Sequence, residues 1–66
     1  MKILLNNKEI SLLQGSTLHD LLLQENIALI NVAIALNNTL VLRDKWAVTT
    51  LNEGDNVVAI TAAYGG

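Results

Sequence analysis

Sixty-six residues provide for one domain, with a formal net charge of −2, 52% hydrophobic residues and no cysteine. These numbers exclude a disulfide framework and a thiolate metal site, and a single histidine builds no zinc centre. They also argue against nucleic acid as a partner, because neutralising phosphates takes clustered basic residues and Lys2, Lys8, Arg43 and Lys45 are scattered.

In chain order, "MKILLN" predicts a strand and "KEISLL" its partner. Asn6-Asn7 between them suits a tight hairpin, since asparagine tolerates positive φ better than other residues with a β-carbon. Gly15 ends that hairpin. "STLHDLLLQEN" predicts a helix capped by Ser16 or Thr17, with Asp20 placed to favour its positive end. Leu18, Leu21 and Leu22 share one face at i, i+3, i+4, and Asn26 is the stop. "VAIAL" and "TLVL" are short strands joined by Asn37-Asn38. "RDKWAVTTL" is expected to be irregular or a single helical turn, with Trp46 as a packing residue. "NEGD" is a turn using Gly54, and "NVVAITA" is the final strand.

One helix covers one face of such a sheet, so the other face should alternate to polar residues. The last strand does not follow that rule. Val57 and Ala59 share one face, while Val58, Ile60 and Ala62 share the other. Either the strand is buried on both sides or its outer face is a contact surface. The second is the expectation here, with Leu4, Val58, Ile60 and Ala62 as the partner interface. The longest apolar stretch, "IALINVAIAL", is about half of what spans a bilayer, and the N-terminus lacks a signal-peptide core. A soluble, cytoplasmic protein without membrane contact is expected.

Catalytic machinery is sparse. His19 reads as a solvated helix residue, and Glu53 and Asp55 flank a turn glycine. No phosphate-binding loop is present. No residue is assigned as catalytic, and neither a metal nor a cofactor is assigned to the chain. The chemistry is concentrated instead in "TAAYGG". Two glycines make a thin, flexible tail, and residues 63–66 reach about 13–14 Å when extended. Such a tail, with Ala63, Tyr64 and Gly65 threading a channel, could carry the Gly66 carboxylate into another protein's active site. Ionised at neutral pH, that carboxylate can attack the α-phosphorus of ATP and become an acyl-adenylate, open to a further nucleophile. The ATP site and its magnesium would belong to the partner.

Strand, hairpin, helix and a final strand ending in Gly65-Gly66 resemble the ubiquitin-like β-grasp fold. More narrowly, Ala35-Leu36-Asn37, Val41, Arg43 and Trp46 at R-x-x-W spacing, Leu51, Glu53-Gly54-Asp55 and the terminal glycines resemble the ThiS-type sulfur carriers of thiamine biosynthesis. The resemblance implies an α+β fold: a mixed four- to five-stranded sheet, one helix on one face, a body of residues 1–62 and a tail of 63–66. It implies a carrier rather than an enzyme. An E1-like adenylating enzyme (ThiF-type) would activate Gly66, and a sulfurtransferase or cysteine desulfurase relay would convert it to a thiocarboxylate. Thiazole synthase (ThiG-type) would then accept the sulfur. Two positions depart from the family pattern. Leu42 stands where proline is frequent, and Tyr64 is bulky beside the glycines. Three alternatives stay open: the small subunit of molybdopterin synthase, a ubiquitin-type modifier, and a non-covalent interaction module.

Overall fold

Paired asparagines build both hairpins. In the computed structural model, which describes residues 1–61, β1 (Lys2–Leu5) and β2 (Lys8–Ser11) are antiparallel, with Ile3 opposite Ile10 and Leu5 opposite Lys8. Asn6 and Asn7 close the turn at φ of 49° and 68°, the left-handed values of a two-residue I′ connection. β3 (Val32–Leu36) and β4 (Thr39–Val41) repeat the device, with Asn37 and Asn38 at φ of 50° and 70°. β2 stops at Ser11, earlier than "KEISLL" predicts. Its pairing is extended by Leu12, which donates to the Met1 carbonyl, while the Met1 ammonium donates to the Leu12 carbonyl at 2.7 Å.

α1 (Leu18–Gln24) is capped by Thr17 rather than Ser16, through a complete capping box. The Thr17 hydroxyl accepts from the Asp20 N–H at 3.1 Å, and the Asp20 carboxylate accepts from the Thr17 N–H at 2.9 Å. Two otherwise orphaned donors are thereby satisfied. At the other end Asn26 takes φ of 56°. Its N–H donates to Leu23 and that of Ile27 to Leu22, the hydrogen-bond pair of a Schellman motif. Leu18, Leu21 and Leu22 are fully buried beneath this helix.

"RDKWAV" is more regular than expected: Arg43–Val48 is a 3₁₀ helix of two turns. It swings Trp46 into the core, where the indole N–H donates to the Val41 carbonyl at 2.9 Å. A buried indole needs such an acceptor. Leu18 N–H to Thr49 and Leu51 N–H to Ser16 then tie this segment to the start of α1.

β5 (Asn56–Thr61) completes the sheet, whose order is β2-β1-β5-β3-β4. It runs parallel to β1 and antiparallel to β3. The last strand in the chain is therefore the middle strand of the described sheet. Its Val57 packs with Ile3, Leu5, Ile34 and the helix leucines in a core that buries no polar side chain among the described residues.

Candidate functional site

Register decides what the uncovered side of the sheet presents. Cross-strand partners point to the same face, so three rows can be read off the pairing. Glu9, Leu4 and Asn56 form one row, Leu40, Ala35 and Val58 the next, and Ala33 with Ile60 the third. The alternate residues Ile3, Val57 and Ile34 are buried on the helix side. The sequence-based assignment of faces in β5 therefore holds: Val57 is inward and Ile60 is 63% exposed. Leu4 is 38% exposed and Val58 half-buried. Ala62, the fourth expected member, and the expected tail residues Ala63, Tyr64, Gly65 and Gly66 lie outside the described residues.

Three apolar members of the face were not anticipated: Ala33, Ala35 and Leu40, the last 64% exposed. Their signal was present in the sequence. A two-residue turn at Asn37-Asn38 sets Leu36 against Thr39, hence Ala35 against Leu40. In "VAIAL" the large residues Val32, Ile34 and Leu36 then face the core, leaving the alanines outside. Over the rows of Leu40, Ala35 and Val58 and of Ala33 and Ile60 the face is apolar, with small alanines between the larger side chains, the kind of exposed patch that marks contact surfaces.

At the β1–β2 side of this face, Lys2, Ile3, Leu4, Glu9, Glu53 and Gly54 line a shallow open hollow. Lys2 and Glu9 pair across it at 3.3 Å, an exposed ion pair of small energetic weight. Glu53 and Asp55 are more engaged than a solvated turn suggests. The Glu53 carboxylate accepts from the Lys2 N–H at 3.0 Å. Asp55 accepts from the Asn52 N–H at 2.7 Å and from the Asn37 side-chain amide at 3.0 Å, joining this turn to the β3–β4 hairpin. Both carboxylates thus serve as structural acceptors. His19 is half-buried in the first turn of α1.

Nothing among the described residues of the outer face pairs a nucleophile with a base. Among the described residues no group of three or more His, Cys, Asp or Glu side chains could hold a metal ion. No described helix is long and apolar enough to cross a membrane. The geometry is that of an open sheet face whose middle strand, β5, is the last described element.

Comparison with known proteins places this geometry. The model of the ThiS family matches residues 2–66. The sulfur carrier protein ThiS of Escherichia coli (strain K12) is 32% identical over 66 residues, covering all of both chains. The crystal structure of the thiamine biosynthesis protein ThiS of Geobacter metallireducens superposes with a TM-score of 0.84 at 25% identity, again over all of both chains. A solution structure of a thiamine biosynthesis protein from the same organism gives 0.81 at 25% identity, covering all of this chain and 88% of that one. The expected β-grasp fold is therefore observed, with five strands described. With sequence and fold matched along its length, this chain belongs to the ThiS family.

Proposed function

We propose that this chain is a sulfur carrier of thiamine biosynthesis, working through the carboxylate of Gly66. The observation that carries the proposal is its full-length match to the E. coli sulfur carrier protein ThiS. The apolar outer face supports it, because a carrier must be gripped by partners while its end is modified. The carboxylate attacks the α-phosphorus of ATP bound to an E1-like enzyme, and pyrophosphate leaves. The terminal sulfur of a persulfide on the relay attacks the acyl carbon and expels AMP, giving an acyl disulfide. A thiol of the relay then cleaves the S–S bond, is itself oxidised to a disulfide, and leaves a thiocarboxylate, which a thiazole synthase consumes. ATP and magnesium are the activating enzyme's, and Leu4, Val58, Ile60 and Ala62, joined by Ala33, Ala35 and Leu40, form the docking face.

The intact mass tests this reading after incubation with ATP, an activating enzyme and a sulfur source. The expected result is replacement of one oxygen by sulfur, mapped to Gly66 and absent from a chain lacking that residue. Biological activity that survives deletion of Gly66 would sink the carrier function and favour a non-covalent module. Acceptance of the sulfur by a molybdopterin synthase rather than a thiazole synthase would move the chain to the other pathway.

A further inference from the structure

β1 accompanies β5 for only two residue pairs, Leu4 with Asn56 and Leu5 with Val57, before Asn6-Asn7 turns it back into β2. Along this stretch the Leu4 N–H donates to the Asp55 carbonyl at 2.8 Å, and the Asn6 N–H to Val57 at 2.9 Å. A parallel strand that continued would next offer the carbonyl of residue 6 to the Ala59 N–H. It would then offer the N–H of residue 8 to the Ala59 carbonyl. The hairpin has taken both groups elsewhere. The Asn6 side chain replaces them: Oδ1 accepts from the Ala59 N–H at 2.9 Å, and Nδ2 donates to the Ala59 carbonyl at 3.1 Å. A carboxamide can do this because it carries the acceptor and donor of a peptide group in one plane.

Turn geometry admits asparagine or glycine at this position. Glycine meets a φ of 49° more easily, but it has no amide to extend. The place of the contact also matters. Ala59 lies two residues before Thr61, the last described residue of β5. On its other side β5 stays paired with β3 up to Val32 opposite Thr61. On the β1 side, the Asn6 carboxamide is what holds the strand beyond Val57 among the described hydrogen bonds.

We propose that Asn6 is a positioning residue for the carrier reaction, its carboxamide holding the Ala59 peptide and so fixing the direction of β5 at its last described residues. The proposal rests on the carrier function above. Asn6 acts through β5, fifty-three positions away in sequence, and touches no reacting atom. A strand held on both edges at Ala59 fluctuates less about the sheet. It also presents the carboxylate in a narrower range of directions, on which a displacement reaction depends steeply.

Two variants separate positioning from bracing. Asn6→Gly keeps the left-handed turn and removes the carboxamide. Asn6→Asp keeps an acceptor for the Ala59 N–H but turns a second oxygen toward the Ala59 carbonyl. Each is compared with the unaltered full-length chain by thermal unfolding, by amide hydrogen exchange at Ala59, and by pyrophosphate exchange with an E1-type adenylating enzyme. For Asn6→Gly, exchange at Ala59 should accelerate about tenfold or more. At a temperature where both chains are folded, kcat should fall about tenfold with KM within about twofold, because the docking face is untouched. Asn6→Asp should fall between the two. Faster exchange with unchanged kcat would make Asn6 a brace only and overturn the proposal, as would unchanged exchange at Ala59. If the unaltered chain is not adenylated at all, the carrier function fails first and the positioning role with it.

Discussion

Asparagine is the residue this chain uses wherever its backbone turns left-handed without glycine. All six non-glycine positions with positive φ among the described residues are asparagines: 6, 7, 26, 31, 37 and 38. A short side chain that can bond locally lowers the cost of that conformation. It also leaves a polar group free for other work, as at Asn6 and Asn37. The cap of α1 shows the same economy of short polar groups. Accepting the Thr17 N–H, and then the Thr17 hydroxyl interaction, holds the Asp20 carboxyl below the ordinary carboxylate range. A carboxyl whose folded pKa is depressed adds stability that is present above its unfolded pKa and lost as pH falls through the folded value. The contribution should therefore be full at neutral pH, begin to fade at about pH 4 and be lost as the pH falls further, through the depressed folded value. Asp20→Asn should lower the melting temperature at pH 7, and the gap from the unaltered chain should close on acidification. A gap that stays constant with pH would show that the charge is not what the cap uses.

Between β4 and the 3₁₀ helix, one departure from the family pattern finds its explanation. Leu42 stands where the resembling carriers often have proline, yet its backbone has φ of −67° and ψ of 150°. That φ is the value a proline ring imposes. Val41 before it is in a strand, the conformation that a following proline requires. The Leu42 N–H donates none of the loop or cap hydrogen bonds, and its side chain is 64% exposed. The segment is thus shaped for proline without containing one. Leu42→Pro should stabilise the chain by about 0.4–1 kcal/mol, chiefly by restricting the unfolded state, and chemical denaturation would read the change as a shift in midpoint. Destabilisation would mean that the Leu42 N–H or side chain has a role this geometry does not reveal. Of the two expectations for this segment, irregular or a single helical turn, the helical one is nearer, and the helix runs to two turns because Trp46 cannot reach the core from an arbitrary loop. Its burial, and its bond to Val41, select the 3₁₀ geometry.

The molecule as a whole is asymmetric: α1 and the 3₁₀ helix cover one side of the sheet, and no described element covers the other. Ile60 and Leu40 stand exposed on that open side, in neighbouring rows with Val58 and Ala35 between them. Replacing Ile60 with Asp should cost under about 1 kcal/mol of stability, since an exposed strand position loses propensity rather than packing. The same change should raise KM for adenylation at least about tenfold, the effect of losing about 1.4 kcal/mol of binding. Leu40→Asp should act in the same direction. A stability loss of several kcal/mol would assign Ile60 to the core instead.

What could be read along the chain was whatever depends on neighbours in sequence. The two Asn-Asn turns, the leucine spacing of α1 and its stop at Asn26 are local, because turn propensity and a 3.6-residue period act over a few positions. The choice of Thr17 over Ser16 was also legible, since only Thr17 has Asp20 three residues on to complete the box. Even the hidden half of the outer face followed from a two-residue turn and strict alternation. The central place of β5, its parallel pairing with β1 and the junction of Asn6 with Ala59 were not. The pairing with β1 and the junction at Asn6 join segments about fifty residues apart, and no local pattern encodes which strand a given apolar run will meet. Packing decided that: with α1 and Trp46 closing one side, β5, apolar on both faces from Val57 to Ile60, reached the middle of the sheet, and its outward residues remained in the open.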